Sequence, residues 1–277
     1  HRFGKILIVD QAHGAHLNFF NEFGIEGFPL TAERGGADIV VNSTHKTLAS
    51  LTQSAVMNVC SDRVDIEMLE DKLQMMESTS PSYILMGSLD INGSILEEHG
   101  EKLIREWNEH LENFYVQAKK IDGLRVMENL AGLDKTKINI DMSEKGYSGR
   151  QLEKALIEKY GIYAELNTGN LLMCMTGIGN VREDYQNLLL ALKELNDQPM
   201  AVSEIEEKID IPKLKLLEAV GKVCMKAIIP YPPGIPLICP GEIITKTHIE
   251  TIYGILINGE KVLGLKNKCE MAFKEQK

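Results

Sequence analysis

The chain has 277 residues, of which 44% are hydrophobic, and 40 acidic against 30 basic residues give a formal net charge of −10. This length and apolar content predict two or three packed domains, while the acidic balance disfavours a nucleic-acid partner. No apolar run is long enough to span a membrane and no signal peptide is recognisable, so the expected location is the cytoplasm.

The first half of the chain alternates between strand and helix patterns. Residues 5–9 carry a continuous apolar run after Lys5, which predicts a buried parallel strand, and two further strands are expected at 37–41 and 54–60. Helical spacing covers 64–76 and the long stretch 82–119, so we predict an α/β sheet. No preceding segment could flank residues 5–9, and we therefore expect a fragment or a partner chain that supplies the neighbours.

A second α/β unit is predicted to begin near residue 121. Its expected elements are strands at 124–127, 137–141, 162–165 and 171–175 and helices at 148–160 and 181–195. Ser148 and Gln151 form a capping box at the start of the first of these helices, and Gly161 ends it. Residues 196–199 resemble a linker before a proline-rich region. The predicted domains are 1–120, 121–197 and 198–277.

Two residues at predicted strand ends carry the chemistry: Asp10 and, 36 residues later, Lys46. A Schiff base to an aldehyde cofactor needs an amine whose pKa is lowered by desolvation or nearby positive charge. A buried strand-end carboxylate needs a partner, which a protonated pyridine nitrogen can provide. Pyridoxal phosphate (PLP) enzymes use this pair. The alternative is an exposed loop lysine and a turn-capping aspartate.

Small and polar residues surround this pair. Ala12 is small enough to lie beneath a flat ring, and Ser43 and His45 can bind a phosphate dianion through charge-assisted hydrogen bonds. Ser80, before a proline, could do the same or cap a helix. Glu242 is the one acid in a rigid proline-rich loop, where the sequence alone favours a surface role.

Metal and phosphate-loop readings are less well supported. His13 and His16 have the spacing of a metal pair, but no third ligand is evident, so no metal is predicted. Five cysteines without a C-x-x-C pair favour reduced thiols over a disulfide framework or structural zinc. The glycine-rich segment 176–180 lacks G-x-G-x-x-G spacing and is predicted to be a turn.

These motifs closely resemble the Orn/Lys/Arg decarboxylase family, whose members use PLP to remove the α-carboxylate from basic amino acids. The matching segments are Ser43-x-His45-Lys46 with Thr52-Gln53-Ser54-Ala55, Asp10-x-Ala12-His13 with His16, Thr79-Ser80-Pro81-Ser82-Tyr83, and Tyr231-Pro-Pro-Gly-Ile-Pro236 with Pro240-Gly241-Glu242. A lone S-x-H-K would be less specific, because cysteine desulfurases carry similar tetrapeptides.

The resemblance implies a fold and a set of roles. The fold is a partial PLP fold type I large domain at 1–120, mostly a parallel sheet with helices, then a small α/β domain and a C-terminal α+β domain. By this resemblance, Lys46 would attach the cofactor covalently, Asp10 would pair with its pyridine nitrogen and Ala12 would pack under its ring. His13 would also contact the cofactor, and Ser43 and His45 would bind its phosphate. Ser80 would reach a phosphate across a dimer interface, and Glu242 would recognise the substrate's distal cation.

The implied activity is α-decarboxylation of arginine, lysine or ornithine to the amine and CO2, in a homodimer or larger homo-oligomer. Lys46 or His45 would return a proton to the α-carbon. Family members carry a phosphate cup and a ring-stacking residue before the aspartate strand, so we expect this chain to lack that half of the site. The alternatives are an aminotransferase or desulfurase with the same cofactor, and a non-catalytic fragment that pairs with a full-length relative.

Overall fold

The first sheet places the ends of two parallel strands side by side. The computed structural model describes residues 3–128, 130–199, 213–231, 234–257, 261–266 and 270–274. Three strands form the sheet in the order β1 (Ile8–Asp10), β2 (Ile39–Asn42) and β3 (Val56–Val59). β1 runs parallel to β2, with Asp10 opposite Val41, whereas β3 is antiparallel to β2. The segments that follow β1 and β2 therefore leave the sheet at the same edge.

The predicted burial of residues 5–9 is wrong. Ile6, Leu7 and Ile8 are 41%, 46% and 63% exposed. Among the described residues β1 is an edge strand, so its side chains lack the cover that a continuously apolar pattern anticipates. Branched apolar composition identified the strand, but burial depends on neighbouring elements that composition does not encode.

Helices follow each strand of this sheet. They are α1 (Leu17–Glu22), α2 (Thr44–Thr47), α3 (Ile66–Met76) and α4 (Tyr83–Ala118). α4 is 36 residues long, which confirms the predicted long helix, and three glycines, Gly87, Gly93 and Gly100, lie within it. Its buried residues, Trp107 and Leu111 among them, lie mainly in the C-terminal half, whereas Tyr83 and Ile84 at its start are exposed.

A second sheet packs against this long helix. Its strands are β4 (Arg125–Met127), β5 (Lys137–Asp141), β6 (Leu166–Thr168) and β7 (Leu171–Met175), all antiparallel in the order β4-β5-β7-β6. α5 (Gly149–Tyr160) begins with the predicted Ser148–Gln151 capping box and ends at left-handed Gly161. α6 (Arg182–Asn196) closes the unit. The strand expected at 162–165 lies at 166–168 instead, because Ile162 N–H still bonds the Leu156 carbonyl of the helix end.

Two hydrophobic cores organise the molecule. The first joins Phe20 of α1, Trp107 of α4, the second sheet, α5 and α6. The second core lies between residues 216 and 271. Its elements are α7 (Lys213–Leu217), β8 (Val223–Cys224), β9 (Ile229–Tyr231), α8 (Lys246–Ile257), β10 (Lys261–Leu263) and β11 (Phe273–Lys274). No helix in the described ranges is long and apolar enough to cross a bilayer.

Candidate active site

The turn after β1 fixes Asp10 at the carboxyl ends of the two parallel strands. Gln11 N–H donates to the Val41 carbonyl at 2.8 Å, so the chain stays paired with β2 beyond the strand end. Ala12 N–H donates to Asp10 Oδ1 at 3.0 Å, which orients the carboxylate. Asp10 is exposed, and its Oδ2 has no hydrogen-bond partner in the part of the chain that the structure describes. One oxygen is therefore held and the other can accept a ligand proton.

Lys46 lies in α2, directly after β2. Its side chain is half-buried, and within the described ranges its ammonium makes no hydrogen bond or ion pair. His13 experiences the charges of both Lys46 and Asp10, and Lys137 also experiences that of Lys46. Burial lowers the pKa of His13, Lys46 and Lys137 lower it further, and Glu165 and Asp10 oppose them. Lys46, Lys137, Glu165 and Asp10 therefore all lie near His13.

Ser43 and His45 flank the lysine in different ways. Ser43 occupies the N-cap position of α2, but its hydroxyl does not cap the helix. His45 Nδ1 lies 2.8 Å from the Ser54 carbonyl oxygen. Because a carbonyl can only accept, Nδ1 carries the hydrogen and Nε2 remains free to accept or carry a proton. The turn that supplies Ser54 contains Gln53 at φ 79°, a left-handed conformation uncommon outside glycine.

A chain of hydroxyl groups connects α2 to this turn. Ser54 Oγ donates to Ser50 Oγ at 2.6 Å, and Ser50 Oγ donates to Thr44 Oγ1 at 2.7 Å. All three residues are buried. The motif residues after Lys46 thus hold the short helix in place.

The glycine-rich segment 176–180 is a turn, as predicted, and it packs on the end of α2. Ile178 N–H donates to the Thr47 carbonyl at 2.9 Å. A β-carbon on Gly177 would lie 3.2 Å from that same oxygen, so glycine allows the close approach. The second sheet's unit therefore helps to position the lysine helix.

A buried charged cluster lies beneath the turn after β1. Lys137 Nζ donates to Asp134 Oδ2, Thr136 Oγ1 and the His13 carbonyl, each at 2.9 Å. His16 Nε2 lies 3.2 Å from Asp134 Oδ2. Sequence reasoning missed Asp134 and Lys137 as site-supporting residues. The available signal was a lysine at the start of a predicted strand whose alternate residues Ile138 and Ile140 are apolar, since buried lysines need partners.

The two histidines considered as a metal pair contact different acids. His13 Nε2 lies 3.3 Å from Glu165 Oε1, whereas His16 contacts Asp134. Residues 13–16 form turns and not a helix, so the i, i+3 face assumed for the pair is missing. In the described ranges no three His, Cys, Asp or Glu side chains could hold a metal ion.

Glu33 ties together the ends of both site strands. Its carboxylate accepts hydrogen bonds from Gln11 Nε2 at 3.1 Å, Asn42 Nδ2 at 2.8 Å and Asn58 Nδ2 at 3.0 Å, and also from Thr31 Oγ1. Desolvation opposes ionisation, but hydrogen bonds from Thr31, Asn58 and Asn42 outweigh it and lower the pKa of Glu33 to about 2. Gln11 follows Asp10 and Asn42 precedes Ser43, so this acid anchors both segments.

We expect Glu33→Gln to lower the free energy of unfolding at pH 7 by about 1–2 kcal/mol. The new amide group would place its own N–H donors against the N–H donors of Gln11, Asn42 and Asn58. Since the folded pKa is depressed, the carboxylate stabilises above pH 4.5, and this contribution is lost as the pH falls towards 2. Urea titrations at pH 7, 4.5 and 3 measure the difference from wild type. It should shrink with falling pH, whereas exposed Glu70→Gln should change little; a pH-independent difference would contradict the assignment.

In the described part of the chain, Ser80 and Glu242 make their hydrogen bonds elsewhere in the protein and not to the residues around Asp10 and Lys46. Ser80 is exposed, and its backbone N–H bonds Ser78 Oγ at 3.2 Å. Glu242 is exposed in the C-terminal unit, where its Oε2 accepts from Cys239 N–H at 2.6 Å. Among the described residues neither contacts Asp10, His13 or Lys46, and their roles stay predictions. The structure thus gathers Asp10, Ala12, His13, Ser43, His45 and Lys46 at one edge.

Comparison with known proteins places the chain in a family. Residues 1–139 match the family model described as Orn/Lys/Arg decarboxylase, major domain, and residues 183–260 match the C-terminal domain of that family. Arginine decarboxylase of Bacillus subtilis (strain 168) is 32% identical over 95% of this chain, and that of Bacillus anthracis is 30% identical over 95%. The chain spans 58% of the length of each relative.

The fold agrees with a solved structure. Lysine decarboxylase A from Pseudomonas aeruginosa superposes with a TM-score of 0.69 at 17% identity, covering 98% of this chain and 53% of that one. This likeness confirms the predicted α/β class, a partial fold type I architecture. The chain belongs to the Orn/Lys/Arg decarboxylase family.

Proposed function

We propose that the protein is a PLP-dependent decarboxylase of a basic amino acid: arginine, lysine or ornithine. One observation carries the proposal: Asp10 is the last residue of β1, Lys46 lies in the helix directly after the parallel neighbour β2, and the charges of both act on His13. Relatives named arginine decarboxylase support the substrate class. Because the chain spans 58% of those relatives, the activity is proposed for the whole protein.

The residues present fit the cofactor. Lys46 offers a half-buried amine without a partner among the described residues, and Asp10 keeps one carboxylate oxygen available for a pyridine nitrogen. Ala12 would lie under the ring, and Ser43 and His45 would contribute to phosphate binding, with the rest of the phosphate cup supplied by other segments of the family fold. When bound, PLP supplies an electron sink for the carbanion left at the substrate's α-carbon.

The chain's own residues would orient the substrate and move one proton. Asp10, oriented by the hydrogen bond from Ala12 N–H, would place its carboxylate opposite the pyridine nitrogen. Lys46 would hold the cofactor until the substrate binds and, as an ammonium, would then donate a proton to the α-carbon. His45 can do the same through Nε2, because Nδ1 is bound to the Ser54 carbonyl.

The remaining parts of the proposal concern the whole protein. It would work in the cytoplasm as a homodimer or larger homo-oligomer, with Ser80 reaching a neighbouring subunit's phosphate and Glu242 the substrate's distal cation. Its domains would divide near residues 120 and 197. The joint core of Phe20 with the second sheet implies that the first two domains pack tightly.

The test is product analysis on protein expressed from the complete reading frame and supplied with PLP. We expect CO2 and the corresponding amine from at least one of arginine, lysine and ornithine. Keto-acid or alanine formation would favour the aminotransferase or desulfurase alternative. No turnover, with activity appearing only when a full-length relative is added, would favour the non-catalytic alternative.

A further inference from the structure

We propose that Glu165, from the second sheet's unit, is a positioning residue that holds the His13 imidazole beside Asp10 and Lys46. The inference rests on the proposed function and adds a residue that neither the motifs nor the family resemblance identified. It begins from a contact between segments far apart in the sequence: Glu165 Oε1 lies 3.3 Å from His13 Nε2.

The backbone of Glu165 is fixed. The residue directly precedes β6, and its N–H donates to the Met173 carbonyl of β7 at 2.9 Å. The carboxylate is therefore presented from a sheet and not from a mobile loop. Its side chain is 34% exposed and that of His13 is 36% exposed, so the contact is partly shielded from water.

The second unit holds His13 at two points. Lys137 of β5 donates to the His13 backbone carbonyl at 2.9 Å, while Glu165 contacts the ring. Lys137 is buried, so the backbone anchor is rigid. The backbone of His13 is thus held from one strand, and a carboxylate at the start of another lies 3.3 Å from its imidazole.

The charges around His13 predict the direction in which loss of the Glu165 charge changes protonation at the site. Lys46 and Lys137 are the cations that act on it, and Asp10 and Glu165 are the anions. Burial lowers the pKa of His13, so the ring is predominantly neutral at pH 7 and above. Lys137 stays paired with Asp134, but removing the charge of Glu165 takes away one of the two anions that act on His13, which disfavours a protonated link between Lys46 and the cofactor.

The experiment uses the PLP-loaded full-length protein and a double-mutant cycle. Glu165→Gln should lower kcat by about tenfold, and His13→Gln by at least as much; the double variant should lose no more than His13→Gln alone, because the glutamate acts through the ring. Independent, multiplying losses would overturn the inference. Glu158→Gln, an exposed residue of α5 that loses the same charge, should leave kcat unchanged.

A spectroscopic titration adds a readout that altered folding would not move. The pH midpoint of the visible band of lysine-bound PLP should shift down by about 0.5 unit in Glu165→Gln and not in Glu158→Gln. If both variants match wild type, Glu165 has no positioning role. If wild type itself binds no PLP, the proposed function fails instead, so the two failures are distinguishable.

Discussion

Lys46→Ala should abolish the visible absorbance of lysine-bound PLP and lower kcat by at least about 1,000-fold, with little change in thermal stability. The amine provides both the covalent attachment and a proton for the α-carbon, so one substitution removes two functions. Stability should survive because Lys46 is only half-buried and its ammonium has no hydrogen-bond or ion-pair partner among the residues described. Absorbance spectra, decarboxylation rates and melting curves measure the three quantities.

Two matched variants separate the amine from its charge. Lys46→Arg keeps a positive charge but cannot lose its proton to attack an aldehyde, so it should be as inactive as the alanine variant. Lys154→Ala removes an exposed lysine of α5 and should leave both spectrum and rate unchanged. A normal visible band in either Lys46 variant would exclude this residue as the attachment point.

Local sequence signals predicted those parts of the fold that local physics decides. The capping box at Ser148 and Gln151 and the stop at Gly161 depend only on neighbours in sequence, and both occur. The apolar repeat of α4 was long enough to outweigh three glycines. The exposure of β1 was not predictable in this way, because burial is set by elements that pack on the strand and not by the strand's own composition.

The same division applies to the site. Asp10 and Lys46 stand in short motifs whose residues follow strand ends, so the motifs located them. Lys137 and the His13 carbonyl that it bonds are 124 residues apart, and nothing in either segment indicates the other. Glu165 likewise resembles an ordinary solvent-facing acid until the fold brings it to His13. Long-range partners of a recognised motif are therefore what the structure adds.

Asp134→Asn should be the most damaging single change to stability near the site, lowering the free energy of unfolding by about 3 kcal/mol. Burial opposes ionisation of Asp134, but its contacts with His16, Lys137 and Thr136 hold its pKa far below the usual range. Lys137 is only 8% exposed, and the amide would leave its ammonium without its hydrogen-bonded counter-charge. Urea unfolding at pH 7 measures the loss, and exposed Asp122→Asn is the matched control.

A double variant identifies the cause of that loss. If the damage comes from the unpaired buried ammonium, Asp134→Asn combined with Lys137→Met should be more stable than Asp134→Asn alone, because the second change removes the uncompensated charge. A further drop in the double variant would mean that Lys137 stabilises mainly through its bond to the His13 carbonyl.

The depressed pKa of Asp134 also fixes the sign of the pH effect: its contribution to stability is present above the unfolded pKa near 3.8 and declines as the pH falls below it. Because the same lysine fixes the turn that follows Asp10, acid loss of this cluster should release the proposed cofactor site together with the fold.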